Sequence, residues 1–355
     1  MRPHPLKRSR RTVIALALLL GVGALLAACG SSSKSSSSDT TAAGAAASAE
    51  APKKITIAYQ LIPNGDLIVK NQGWLEEAFP DTQIEWKLFD SGGAVNQAVT
   101  AGSVDIGLAG SSPVSRGLSN ELPYQVPWIF DVIGEAEALV VKSDISSIQD
   151  LAGKKIATPF ASTAHYSLLA ALDDAGVDST TVDIIDAEPA DIYAAWTRDD
   201  IDGAYVWNPN LASIVADGGK VLVTSADLAA KGYTTYDLAV VTNSFAEKYP
   251  AAVTTWVEQQ TRAVELLNSD PKAAAEAIAE ELNITVEEAT AQIEDLIFLT
   301  ASEQVGEEYL GGGLARNLFA AAEFNKDLGE IDSVQPESHY RDAVVATFAK
   351  EASGT

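Results

Sequence analysis

Val104-Asp105-Ile106-Gly107-Leu108-Ala109, followed at once by Gly110-Ser111-Ser112-Pro113, reads as a short β-strand running into the start of a helix. Pro113 suits the first helical position, so Ser112 is the expected N-cap. The arrangement recurs along the chain. Asp90-Ser91-Gly92-Gly93 follows a strand over 84–89, and Phe160-Ala161-Ser162-Thr163 follows one over 155–157. Further strands are expected at 55–59, 139–141, 182–185, 203–206 and 221–223, with another apolar run at 238–241. Helices at 67–79, ending at Pro80, and at 92–101 fall between the first of them. Strands separated by helical stretches of 10–15 residues imply crossover units, hence an α/β class with mainly parallel sheets. After Asn243 the pattern turns almost wholly helical, with segments at 244–249, 251–268, 271–282, 285–299 and 313–328. No internal repeat is visible.

The three turns locate the expected chemistry. Free backbone N–H groups and the positive end of the dipole favour an anion where a helix begins. One such turn is most simply a cap. Three of them at the carboxyl ends of parallel strands, carrying Ser91, Ser111, Ser112, Ser162 and Thr163, sit at the edge where open α/β sheets bind ligands. Trp207 ends the segment Asp199-Asp200-Ile201-Asp202-Gly203-Ala204-Tyr205-Val206-Trp207, and Asp237 opens the run over 238–241. A carboxylate beside an indole face suits a small cation. A Trp in the core and a solvated Asp are the bland readings of the same two residues.

Enzymatic chemistry is poorly supplied. The chain past its leader has two histidines, His165 and His339, and no phosphate-loop, nucleophile-elbow or zinc-protease motif. Gly311-Gly312-Gly313 precedes a helix without a strand before it and reads as a loop hinge. No metal site and no cofactor is expected.

The amino-terminal end reads as targeting sequence. Arg2, Lys7, Arg8, Arg10 and Arg11 precede an apolar stretch over 13–28, then Leu26-Ala27-Ala28-Cys29-Gly30, which resembles a bacterial lipobox. The apolar stretch is shorter than the roughly 20 residues of a spanning helix. Residues 1–28 are therefore expected to be a lipoprotein signal peptide, with Cys29 lipidated. As the chain's one cysteine, Cys29 cannot form a disulfide within it. Ser9-Arg10-Arg11 leaves the general secretory and twin-arginine routes both open. Residues 30–52 are Gly, Ser and Ala-rich, with seven serines between Ser31 and Ser38, and make a flexible tether. Removing the leader's five basic residues leaves 19 basic against 49 acidic, about −30 in net charge. Such a surface repels nucleic acid and anionic headgroups. The remaining length of about 327 residues suits two domains.

Phe89-Asp90-Ser91-Gly92, Gly110-Ser111-Ser112-Pro113, Glu137-Ala138-Leu139-Val140-Val141, the run from Ser162-Thr163-Ala164-His165-Tyr166-Ser167 to Leu172, and Asp200-Ile201-Asp202-Gly203-Ala204-Tyr205-Val206-Trp207 together resemble the taurine-binding proteins of bacterial ABC importers. The resemblance covers about 55–250, and more loosely the helical tail. It implies a two-lobed type II periplasmic-binding fold that closes on one solute and delivers it to a membrane permease. Lobe 1 would comprise 53–140 and 239–355 and lobe 2 141–238, with crossings near Val140 and Leu238. Implied roles follow. Ser111, Ser112, Ser162 and Thr163 would bind a sulfonate, with Ser91 beside them. Asp237 would pair with an ammonium, Trp207 would pack on the carbon chain, and Gln60 and Tyr166 would form pocket walls. His165 is expected to be a satisfied helical residue rather than an anion ligand. The protein would be an exported, lipid-anchored monomer. Asn208-Pro209 and Thr234-Thr235-Tyr236 depart from the family pattern. A receptor for another alkanesulfonate, nitrate or a small amine remains open, as do a fold-related pyrimidine-precursor enzyme and a surface sensor.

Overall fold

A computed structural model describes residues 51–354. The expected signal peptide, Cys29 and all but the last residues of the expected tether lie outside them. Twelve strands are formed among the described residues: β1 (Lys54–Tyr59), β2 (Gln83–Leu88), β3 (Ile106–Gly110), β4 (Tyr124–Gln125), β5 (Ile129–Ile133), β6 (Glu137–Val141), β7 (Lys155–Thr158), β8 (Asp183–Asp186), β9 (Gly203–Trp207), β10 (Lys220–Thr224), β11 (Tyr236–Thr242) and β12 (Leu296–Ile297). They build two sheets. One has the order β12-β5-β11-β3-β1-β2, with β4 paired to β11; the other has the order β10-β6-β9-β7-β8.

Most strands in each sheet share one sense, as expected, but each sheet holds a reversed strand near its middle. β11 runs antiparallel to β3, β4 and β5, and β6 runs antiparallel to β9 and β10. These are the strands by which the chain enters each sheet from the other. It leaves β5 for β6 through Gly134–Ala136 and returns from the helix Ser225–Ala229 to β11 through residues 230–235. Both faces of the central strands are covered, so β3, β5 and β6 are buried at every residue. They therefore read as unbroken runs rather than alternating ones. One large core fills the first body, and two smaller clusters lie against the five-stranded sheet.

Local departures from the sequence reading have physical causes. The helix expected at 67–79 is two, Gly65–Asn71 and Trp74–Ala78, because Gly73 takes φ 64°, which ends a right-handed helix. The helix expected to reach residue 299 stops at Glu294, since Leu296 and Ile297 pair with Ile133 and Val132. The segment Ile129–Ile133 was not expected as a strand at all; tertiary pairing with β11 and β12 makes it one. The helix after β3 starts at Ser111, with Gly110 as its N-cap, so Ser112 is not the cap. Pro113 thus stands third in the helix, where its missing N–H is still one of those with no intrahelical partner.

Candidate ligand-binding site

A partly enclosed cavity lies between the two sheets at the ends of β3, β7 and β9. The first body supplies Gln60, Gly92, Gly110, Pro113 and Asp237 to its wall. The second supplies Glu137, Ser162, Thr163, Trp207 and Asn208. None of the lining residues is basic.

Three helix starts meet the cavity. Gly92 begins the helix Gly92–Thr100, Gly110 caps Ser111–Ser119, and Ser162 and Thr163 open Thr163–Asp174. Their first-turn N–H groups have no intrahelical partner. The hydroxyls around them are mostly committed elsewhere. Ser162 Oγ donates to the Pro159 carbonyl at 2.6 Å and accepts from His165 N at 3.1 Å. Thr163 Oγ1 donates to Glu137 Oε2 at 2.5 Å. Ser111 Oγ accepts from Tyr236 N at 3.2 Å, tying the helix start to β11. An anion placed here would therefore meet backbone N–H groups, which the hydroxyls hold in place.

Beside these helix starts the cavity is acidic: Gly110 is the register partner of Asp237, and Thr163 bonds Glu137. Glu137 is 1% exposed, and its carboxylate also accepts from Ser225 at 2.7 Å and Ser167 at 3.3 Å. Burial pushes its pKa up to about 7, partly offset by these hydroxyls. Asp237 stands directly opposite Asp131 across the β11–β5 ladder. Asn64 donates to Asp131 Oδ2 at 3.2 Å, and Asp131 Oδ1 meets no conventional donor. Its contact with Asp237 is carboxyl to carboxyl, a hydrogen bond only when a proton lies between them. Burial raises Asp131 to about 7, and burial, then the charges of Asp131 and Glu137, raises Asp237 well above the usual carboxylate range. Among the described residues no group of His, Cys, Asp and Glu is placed to hold a metal ion.

Of the residues singled out from sequence, Gln60, Ser162, Thr163, Trp207 and Asp237 line the cavity. Gln60 Nε2 is bound to the Leu108 carbonyl at 3.0 Å. Ser111 and Ser112 are buried behind Gly110 rather than in the wall. Ser91 caps its helix and donates to Glu188 Oε1 at 3.2 Å across the two bodies, on the rim. Tyr166 lies outside the wall, packed edge-on against Phe324 at 5.2 Å. His165 stacks on Phe160 at 4.5 Å and accepts from Ala161 N at 3.4 Å, and burial lowers its pKa. Glu137 and Asn208 in the wall, and Asp131 and Asn64, which are fully buried outside it, were not anticipated. The one signal for Asp131 was a lone acid inside the apolar run Ile129–Ile133.

Residues 53–283 match the family described as the substrate binding domain of the ABC-type glycine betaine transport system. The chain belongs to this family. The chain is also 33% identical over 302 residues to the taurine-binding periplasmic protein of Escherichia coli (strain K12), covering 83% of this chain and 92% of that one. Its fold superposes on the periplasmic aliphatic sulphonate binding protein SsuA from Escherichia coli with a TM-score of 0.67 at 21% identity, over 83% of this chain and 92% of that one. The desulfurization enzyme DszB shares the fold too, with a TM-score of 0.61 at 14% identity, over 85% of this chain and 99% of that one. The scaffold therefore serves both binding and catalysis, and the cavity's own groups must decide function.

Proposed function

We propose that this binding domain is the extracytoplasmic receptor of an ABC importer for a small amino-sulfonate, with taurine as the first-choice ligand. The observation that carries this is the make-up of one cavity: three helix N-termini and the buried carboxylates Glu137 and Asp237 converge on it, and no side chain in its wall is basic. That is the complement of a short zwitterion. The identity to the Escherichia coli taurine-binding protein supports it. Trimethylammonium ligands are favoured by cages of several aromatic rings. Trp207 is the one aromatic residue in this wall, and hydrogen-bond acceptors take the place of further rings.

In this reading the lobes divide near the expected 53–140 with 239–355, and 141–238, and we put the crossings at 134–136 and 230–235, because Val140 lies within β6 and Leu238 within β11. Differential affinity for the closed arrangement would drive closure. No chemistry beyond binding is assigned. The cavity's acids are held by hydroxyls and by each other, and the Escherichia coli relative at 33% identity is a binding protein.

A thermal-shift panel of taurine, ethanesulfonate, glycine betaine, nitrate and sulfate tests the ligand. Taurine at a hundredfold excess over its Kd adds about 2.7 kcal/mol, a rise of several degrees. A larger shift with nitrate or betaine would replace the assignment. The receptor would be monomeric and held beside its permease by lipid on Cys29. The variant Cys29→Ser should then appear in the culture medium or soluble fraction with unaltered taurine affinity, whereas loss of affinity would show that anchor and site are not separate.

A further inference from the structure

We propose that Asp131 is a second acceptor for the cationic end of the ligand, and that Asp131 and Asp237 hold one proton between them which departs when a ligand carrying N–H donors binds. The inference rests on the amino-sulfonate reading for its ligand, but not for the proton.

The geometry allows little else. The two carboxyls are direct cross-strand partners, 0% and 6% exposed. Opposed side chains on one face of a sheet stand close enough to touch, and two charges so placed cannot both persist away from water. Neutral groups surround the pair: Asn64 beside Asp131, Gly110 opposite Asp237 on β3, and Leu296 on β12. Glu137, at the start of β6, is the other titratable group acting on both, and its negative charge opposes full ionisation further. Among the described residues no lysine or arginine acts on the pair. Asp131 Oδ1, buried and without a donor of its own, is the atom the shared proton satisfies.

A primary ammonium substitutes for that proton directly. It brings one positive charge and three N–H groups, so a single nitrogen can donate to both carboxylates. The O–H bond of the shared acid breaks, its proton passes to solvent, and two N–H···O bonds replace one O–H···O bond. A trimethylammonium group has no N–H to bridge the pair and leaves the proton where it is. The paired acids thus select primary amines, and they make uptake proton-linked. Below the titration of the pair, taurine affinity should rise roughly tenfold per pH unit, the slope for one proton released.

Two measurements on the full chain decide the matter. Infrared spectra of the ligand-free protein near neutral pH should show a protonated-carboxyl band that is lost in Asp131→Asn and, independently, in Asp131→Ser, and that disappears from the wild type on adding taurine. Calorimetry in buffers of different ionisation enthalpy should give about one proton released per taurine by the wild type and about none by Asp131→Asn. Ethanesulfonate should release none from either. Asp131→Asn should also bind taurine roughly ten- to a hundredfold more weakly, the loss of a hydrogen bond to a charged group. An identical carboxyl band in wild type and both variants overturns the shared proton whatever the ligand is. A band that behaves as expected in a protein that takes up no taurine overturns instead the amino-sulfonate reading, and the ammonium seat with it. Taurine binding with no proton release overturns the exchange.

Discussion

Replacing Asp237 by Asn should weaken taurine roughly thirtyfold to several thousandfold while leaving ethanesulfonate affinity unchanged or slightly improved. Asp237 is 6% exposed and lines the cavity, so an ammonium bound there would be cut off from water. Truncating one partner of a buried, hydrogen-bonded charge pair costs about 2–5 kcal/mol, because the other charge is left buried. Ethanesulfonate brings no charge to that end and loses nothing. The variant's stability gives a separate check. Asp237 has a folded pKa raised above its ordinary 3.8, first by burial and then by the charges of Asp131 and Glu137. A carboxyl so shifted contributes stability that is complete below about 4 and is lost as pH rises through the folded value. Removing it lifts that penalty, so ligand-free Asp237→Asn should melt higher than wild type above pH 7 and no higher at pH 4. Equal losses for taurine and ethanesulfonate would take Asp237 out of the cation site.

Gly110→Ala should weaken binding by at least tenfold without unfolding the protein. Gly110 has φ −64° and ψ 160°, which any residue adopts, so alanine costs nothing in backbone strain. The difficulty lies across the cleft. A Cβ at Gly110 would stand 2.5 Å from Thr163 Cγ2, 3.4 Å from its Oγ1 and 3.5 Å from its Cβ. Thr163 cannot turn away freely: it is β-branched, and its hydroxyl is bound to buried Glu137. The new methyl group therefore wedges the two bodies apart exactly where the helix starts converge, and overpacking of this kind costs about 1–3 kcal/mol or more. Kd for taurine should rise by tenfold to well over a hundredfold, and the radius of gyration with ligand should stay near its ligand-free value. Thr163→Ser removes Cγ2 and keeps the hydroxyl, so the double variant should recover most of the lost affinity. Unaltered binding in Gly110→Ala would mean that this contact is not part of the bound state.

The sequence carried the wall of the site better than its floor. Strand-to-helix turns announce themselves through Gly, Ser and Pro, and those at Gly92, Gly110 and Ser162 do meet at one cavity. What their hydroxyls bond to is set by tertiary neighbours. Thr163 reads locally as an anion ligand, yet its O–H goes to Glu137, twenty-six residues away. Ser91 and Tyr166 stand one and three residues from cavity-lining positions and face other contacts, Glu188 and Phe324. Asp131 was invisible for a different reason. Its strand is buried on both faces and carries no alternation, and its importance comes from Asp237, more than a hundred residues further on, being its register partner. The reversed strands β6 and β11 escaped for a similar reason, since periodicity shows that a strand exists but not its direction.

Those reversed strands have a mechanical consequence. Asp131 ends two residues short of the first passage between the bodies, Glu137 immediately follows it, and Asp237 comes two residues after the second. All three carboxylates therefore lie next to the chain's passages between the bodies. Gly110 and Thr163, on separate bodies, meet beside them, since Gly110 is the register partner of Asp237 and Thr163 bonds Glu137. A zwitterion held there would touch both bodies and the crossing strands at once, so the groups that bind it are the ones a turn of one body against the other would rearrange.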